Sequence, residues 1–586
     1  MTTQNTTDPE QNAALALDTV NALSAGVQKI IGQAEKLTET MPSSPLNPFA
    51  QKTSLAINTV NELSTDVQKI IGQVEKLTEI GIALSSEKDT TRLLEKILVG
   101  AKSITNADGG TIYRVYGDTI KIEIIHSDSL GIYLGGEGKA VNMPNIPLYG
   151  ENGEPNLKNV VCCSYHNNKT INIDDAYDAV HFDFVGTKAF DQKNNYRSKS
   201  FLSIPLTNHQ GEIIGVLQLI NAIDPISHDI TTFDSVAQRF AEALASQAAT
   251  VLTKQQLIVD LENMFESLVK LIATAVDEKS PYTGGHCRRV PELTSMLTEA
   301  AHETDHGYLQ SFTLNEADRY ELSIASWLHD CGKIITPENV IDKATKLEAI
   351  FDRIHLVEAR FEVLKRDQEI AYLKQQLANA APQAELEQTF HANTAQLEDD
   401  LAFIRACNTG GEAMSDADID RLHSLKQQTW TLNNAEQPLL SDEEIYNLSI
   451  FRGTLTPEER KIINNHINVT IAMLEAIKFP KHLQNVVEIA GGHHERMDGK
   501  GYPKGLMREQ MSIPARAMAI ADVFEALTAK DRPYKSGKKL SEALFILKKM
   551  KEEGHVDPDL YDAFIEHKIY KRYAEKFLDA EQIDVD

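Results

Sequence analysis

The stretch GGHHERMDGKGYP, residues 491–503, decides how this chain is read. It sets two adjacent histidines, His493 and His494, at the end of an apolar helical run, then a turn in which Gly499 and Gly501 permit a backbone shape closed to other residues. A second stretch, ASWLHDCGK at 325–333, places the pair His329 and Asp330 in the same position. Burying such polar groups is costly unless something pairs with them, and a metal ion is the natural partner. Three more segments supply donors: His286 in SPYTGGHCRRV, His466 in RKIINNH and Asp522 in AIADVFEAL. Imidazole nitrogen and carboxylate oxygen suit Fe, Mn, Zn or Co, and no cysteine cluster argues for structural zinc or an iron–sulfur centre. These donors exceed what one tetrahedral ion accepts, so two ions sharing a bridging carboxylate are expected.

The order H, then HD, then HH-E-x-x-D-G-x-G-Y-P, then D resembles the HD-GYP family of cyclic di-GMP phosphodiesterases. Carried over residue by residue, the resemblance implies that His286, His329, Asp330 and Asp522 hold a first ion. Asp330 then bridges to a second, completed by His466, His493 and His494. It implies two divalent transition-metal ions, Fe or Mn, with a third left open through Asp277 or Glu278. Asp330, His329 and Lys333 take catalytic roles, Lys333 at the scissile phosphate or the bridging water. Arg532 and Lys535 of DRPYK hold the substrate's phosphates, and Tyr502 stacks on or hydrogen-bonds the nucleotide. The implied reaction is hydrolysis of cyclic di-GMP to linear pGpG and on to GMP. Hydrolysis of cyclic GMP-AMP, and cyclic-dinucleotide binding without cleavage, are the alternatives. One departure matters: the family's next histidine follows the HD pair after a short segment, whereas here a long insertion parts Asp330 from His466. His355 in LEAIFDRIH lies nearer to the family distance, but RGTLTPEERKIINNH matches the context of the ligand and favours His466.

Between Gly81 and Asp224 the pattern changes to short strand-like runs, GGTIYRVYGDTIKIEIIH and SFLSIPLTNHQGEIIGVLQLINA, the second a hairpin about the polar turn NHQGE. An antiparallel sheet flanked by helices is predicted. The stretch FDQKNNYRSKSFLSIPLTNHQGEIIGVLQLINA resembles the second half of a GAF domain, which implies an α+β GAF sensor over 81–232 and a small ligand such as a cyclic nucleotide. Asp191, Asn194, Asn195, Tyr196, Arg197 and Lys199 either line such a pocket or tie the fold by hydrogen bonds.

Around these two blocks the chain reads as helix. LALDTVNALSAGVQKIIGQAEKLTE from Leu15 recurs as LAINTVNELSTDVQKIIGQVEKLTE from Leu55, a duplicated coiled-coil segment over 1–80. Over 233–279, Leu244, Val251, Ile258, Leu261, Phe265, Leu268 and Ile272 keep a heptad register, predicting a signalling linker helix and a parallel homodimer. The charged, Gln-rich stretch at about 356–445 reads as a helical hairpin inserted into an all-α HD-GYP domain over 280–586. The predicted fold class is multidomain: coiled-coil helices, GAF domain, long linker helix, HD-GYP domain.

At 586 residues the chain exceeds a single core, and 42% hydrophobic with 24% charged residues is a soluble, globular profile. There is no apolar run of bilayer length, no signal-peptide pattern in MTTQNTTDPEQNAA, and no repeating spacing among the five cysteines, so a reducing, cytoplasmic setting is expected. The net charge of -27 opposes nonspecific binding to DNA or anionic membranes. An anionic substrate then needs a local basic pocket, which the run from Arg496 to Lys539 (Lys500, Lys504, Arg508, Arg516, Lys530, Lys538) is expected to supply.

Overall fold

The computed structural model describes residues 29, 32, 36, 48–279, 285–410, 413–530 and 537–585, with backbone alone for 48–66. Most of the first repeat copy, together with Arg532 and Lys535, therefore lies outside the described residues. The chain divides into two compact units, Met1–Glu262 and Asn263–Asp586. No helix among the described residues is long and apolar enough to cross a membrane.

In the first unit, helices α1 (Pro48–Ser86) and α2 (Thr90–Thr105) precede an antiparallel sheet. Its strands are β1 (Ala107–Tyr116), β2 (Thr119–Ser127), β3 (Ile132–Leu134), β4 (Ile146–Pro147), β5 (Ile171–Ile173), β6 (Phe201–Thr207), β7 (Ile213–Ile223) and β8 (Ile230–Thr231). The order is β3-β2-β1-β7-β6-β5, with β4 on β2 and β8 on β7. Alternation along the strands sorts side chains to two faces. Ile112 and Leu217 join Leu93, Ile97, Ala241, Leu244 and Leu252 beneath the flanking helices. Tyr113 and Val216 face the other way, against Val161 and Cys162 of α3 (Val160–Asn167). The predicted hairpin is β6–β7, with Leu206 opposite Gly215. Leu84 of α1 and Ala241–Leu252 of α5 (Ser235–Lys279) belong to this core, so it draws on helices at both ends of 81–232.

The polar cluster before β6 ties the fold by hydrogen bonds. On α4 (Val185–Asn194), the Asp191 carboxylate accepts from the Ser198 backbone N–H at 2.8 Å and hydroxyl at 2.7 Å. Tyr196 donates to Asp108 at 2.5 Å, and Arg197 donates to Asp175 at 2.8 Å with its guanidinium over the Tyr177 ring.

The second unit is built on helices α6 (His286–Glu303), α7 (Glu316–Leu328), α8 (Ile354–Leu377), α9 (Gln383–Asn408), α10 (Asp416–Lys426), α11 (Asp442–Leu448), α12 (Pro457–Asn464), α13 (His466–Glu475), α14 (Val486–Gly491), α15 (Ile513–Thr528), α16 (Leu540–Glu552), α17 (Pro558–Glu566) and α18 (Ile569–Phe577). One core joins Leu293 and Leu297 of α6, Ile324 of α7, Ile489 of α14, Phe524 of α15 and Phe564 of α17. Residues 347–448 form their own core, with Val357 and Phe361 of α8 against Leu401 and Ile404 of α9, and Leu422, Leu439 and Leu448 closing it. This insertion is not wholly helical. Strands β9 (Thr429–Leu432) and β10 (Ala435–Pro438) make a hairpin whose turn, Asn433 and Asn434, takes positive φ at both positions. Two consecutive asparagines are a two-residue hairpin signal within a stretch that otherwise reads as helix. The insertion is fastened to the helical unit by Lys343, whose buried ammonium donates to Asn447 at 3.1 Å and to Glu459 of α12 at 2.8 Å.

Candidate metal centre

Four chain segments deliver the histidines because each sits at a helix end that local chemistry fixes. Helix α7 starts in a capping box, Asn315 with Asp318, and ends on His329. Asp330 opens the tight turn Cys331–Ile335. Gly332 lets α13 close on that turn: a Cβ there would stand 2.1 Å from the His466 carbonyl oxygen, and its N–H donates to Thr470 Oγ1 at 3.0 Å. Helix α12 starts in a second capping box, Thr456 with Glu459, and hands the chain directly to His466 at the head of α13. His493 and His494 follow α14, and the turn after them folds back so tightly that a Cβ on Gly501 would meet Glu495 Cα at 2.5 Å. Helix α15 carries Asp522 and packs beside α6, whose first residue is His286.

These side chains converge on Asp330, which is 1% exposed. Its Oδ2 lies 3.0 Å from His286 Nε2 and 3.3 Å from His329 Nε2. Its Oδ1 lies 3.2 Å from His466 Nε2 and 3.9 Å from His493 Nε2. His494 Nε2 stands 3.2 Å from His466 Nε2, and Asp522 Oδ1 stands 3.4 Å from His286 Nε2. Donor atoms of Asp330, His466, His493 and His494 lie within 4.8 Å of one another, as do those of His286, His329 and Asp330. Both clusters contain Asp330. His355, the competing histidine, is exposed on α8 and pairs with Glu358 at 3.1 Å, away from the cluster.

The opposite ring nitrogens set the tautomers. His329, His466 and His493 each hold Nδ1 2.6 Å from a backbone carbonyl three residues back, those of Ser326, Ile463 and Ala490. An Nδ1–H donated there leaves Nε2 bare and aimed inward, which is how metal-ligating histidines are held. His286 is anchored at Nδ1 by Glu525, at 2.6 Å, with Nε2 turned toward Asp330. Buried Asp330 Oδ1 and His493 Nε2 make no hydrogen bond among the described residues, a costly state for polar atoms that a cation would relieve. The donor set thus fits a pair of divalent ions sharing Asp330.

Charge in the site follows the same division. Burial opposes ionisation of Asp330, yet Lys333 and His329 hold its carboxyl well below the usual carboxylate range. Burial, reinforced by His329, pushes His493 down to about 4, and burial with His493 and His466 drives His494 well below the ordinary histidine value. Both are neutral at pH 7. Burial alone would depress Lys333, but Asp330 and Asp522 push it up to about 12, so it is an ammonium donating to Asp330. Tyr502 stacks on the His494 ring at 4.8 Å, and a cavity of about 650 Å³ lined by His493, His494, Tyr502 and Asp522 opens there.

Two expectations need correction or addition. The basic run from Arg496 to Lys539 is largely neutralised in place: Arg496 pairs with Asp498, Arg508 and buried Arg516 with Asp557, Lys530 with Asp579 and Lys538 with Glu542. Composition cannot show this, because Asp557 and Asp579 are distant in sequence. Asp277, the third-ion candidate, accepts the Gly285 N–H at 3.1 Å and the Cys287 N–H at 3.4 Å, and neither it nor Glu278 joins the clusters. Sequence reasoning missed Glu525, buried between His286 and Arg289; the signal was its place one helical turn after Asp522.

Residues 441–560 match the HD domain family and residues 89–252 the GAF domain family. The chain carries a GAF domain and an HD domain. A cyclic di-GMP phosphodiesterase of Pseudomonas aeruginosa is 41% identical over 114 residues, 19% of this chain and 26% of that protein. A cyclic di-GMP phosphodiesterase of Thermotoga maritima is 38% identical over 113 residues, 19% and 30%. The 3'3'-cGAMP-specific phosphodiesterase 1 of Vibrio cholerae is 44% identical over 80 residues, 14% and 18%. The matched stretches thus span less than a third of each of these relatives. The HD-domain match begins inside the insertion at 441 and takes in His466, His493, His494 and Asp522 but not the HD pair itself.

Proposed function

We propose that the chain is a metal-dependent phosphodiesterase that opens a cyclic dinucleotide, cyclic di-GMP first, under the control of its GAF domain. The observation that carries this reading is Asp330, whose two oxygens face two different histidine sets. His286, His329, Asp330 and Asp522 would hold one divalent ion, and Asp330, His466, His493 and His494 the other, with Fe or Mn suited to the donors. Bound cations of this kind ease deprotonation of water near neutral pH and neutralise charge on phosphoryl oxygens. Lys333, fixed as an ammonium, steadies Asp330 and faces the scissile phosphate. Tyr502 stacks on the nucleotide, and Arg532 and Lys535 take its phosphates. Water adds to phosphorus, the P–O3′ bond breaks and O3′ takes a proton, which leaves the linear dinucleotide with a 5′ phosphate; a second hydrolysis gives GMP.

The names of the relatives support a cyclic dinucleotide as the substrate class, and the 3'3'-cGAMP-specific phosphodiesterase 1 of Vibrio cholerae keeps cyclic GMP-AMP as the second reading. Ile258, Leu261, Leu268 and Ile272 are exposed along α5, an apolar stripe that supports a parallel homodimer coupling a GAF ligand to the metal centre. The protein acts in the cytoplasm. Anaerobic purification, metal analysis and product analysis on cyclic di-GMP, cyclic GMP-AMP and a generic phosphodiester test the reading. Metal-loaded protein that leaves all three intact would sink it.

A further inference from the structure

We propose that the insertion completes the substrate site, with Arg452, Arg460, Tyr446 and Phe451 binding the half of the cyclic dinucleotide that is not at the metal ligands. This rests on the phosphodiesterase reading above and adds a subsite to it. A cavity of about 930 Å³ lies where the insertion returns to the helical unit, lined by Tyr446, Phe451, Arg452, Gly453, Leu455 and Arg460. The insertion supplies Tyr446 from α11, the segment that follows it supplies Phe451 and Arg452, and α12, which leads into His466, supplies Arg460.

Three features mark the cavity as built for an anion with aromatic rings. First, neither guanidinium has a hydrogen-bond or ion-pair partner among the described residues, although arginines elsewhere in this acidic chain are mostly paired, as Arg360 is with Glu444 and Arg421 with Asp400. Two like charges left open to one concavity repel each other unless an anion joins them, and a guanidinium takes phosphate, or a guanine edge, bidentately. Second, the Phe451 ring is 65% exposed beside them, and Tyr446 is half exposed; exposed aromatic faces are stacking platforms for bases. The nearby carboxylate of Glu458 is engaged by the Tyr446 hydroxyl at 2.8 Å. Third, α12 joins the cavity to the metal centre: Arg460 lies on it, and the chain reaches His466 roughly 9 Å further along helical backbone. A cyclic dinucleotide at the metal ligands would extend its second nucleotide along α12 toward Arg460.

The test is steady-state kinetics of the full-length, metal-loaded protein on cyclic di-GMP and on bis(p-nitrophenyl) phosphate, which is too small to reach the cavity. Arg452→Ala and Arg460→Ala are expected each to raise KM for cyclic di-GMP about tenfold, with kcat and small-diester turnover within about twofold of wild type. Arg460→Lys, which keeps the charge but loses the fork, should fall between. An unchanged KM in the double variant overturns the proposal, as does parallel loss of both substrates. Wild type that cleaves the small diester but no cyclic dinucleotide would instead sink the functional reading on which the proposal rests.

Discussion

Glu525→Gln is the substitution whose cost can be worked out most fully. The carboxylate is 1% exposed and accepts from His286 Nδ1 at 2.6 Å and from Arg289 at 2.8 and 2.7 Å. Burial opposes its charge, but His286 and Arg289 overcome that and push it down to about 2, while burial of His286 is overcome by Glu525 and Asp330, which push it up to about 10. Glutamine has the same volume but one acceptor oxygen and an NH₂ donor. If the oxygen stays on Arg289, the NH₂ faces His286 and drives the ring proton onto Nε2, the nitrogen that must be bare to bind a cation. Loss of such an outer carboxylate costs about 10–100-fold in metal affinity, or ~1.4–2.7 kcal/mol. Breaking the buried pair destabilises the metal-free fold by roughly 3 kcal/mol more. Competition against a chelator of known affinity, followed by urea unfolding of the metal-free protein, measures both. Affinity within about twofold of wild type would refute the claim that Glu525 positions His286.

Three other perturbations follow from the same geometry. His466→Ala should lose one ion per chain while His355→Ala keeps wild-type content; metal analysis showing the reverse would move the ligand to His355. Lys333→Ala should lower kcat by about 10²–10³ with metal content retained, as for loss of one transition-state donor, and an unchanged kcat would remove it from the chemistry. Metal-free protein should lose stability as pH falls from 6.5 toward about 4, because His493 is held down to about 4 in the fold while its ordinary value is 6.5. The unfolded chain then takes up the proton first, a loss reaching on the order of 3 kcal/mol, and His493→Gln should flatten the wild-type slope in urea titrations across that window.

The adjacent pairs His329–Asp330 and His493–His494 were legible because two neighbouring polar groups at the end of an apolar run have few other reasons to be buried. The convergence on Asp330 needed the fold, since it joins α6, α13, α14 and α15 across gaps that no local pattern spans. Glu525 was invisible among 85 acidic residues until its partners were placed. The heptad along α5 shows one period serving two environments: Leu244 is fully buried in the core of the first unit, whereas Leu261 is 59% exposed. The insertion's contribution to the site was hidden for a related reason. Tyr446, Phe451 and Arg452 gain their meaning from α12, and sequence proximity says nothing about which way they face.

Asp330→Asn tests the central claim most directly, because one carboxylate is assigned to both ions. Metal analysis of the variant, purified beside wild type and checked for fold by circular dichroism, should show both ions lost together and cyclic di-GMP left intact. A folded variant that keeps a full complement of metal, or loses one ion and still opens the ring at the wild-type rate, would contradict the shared-carboxylate account.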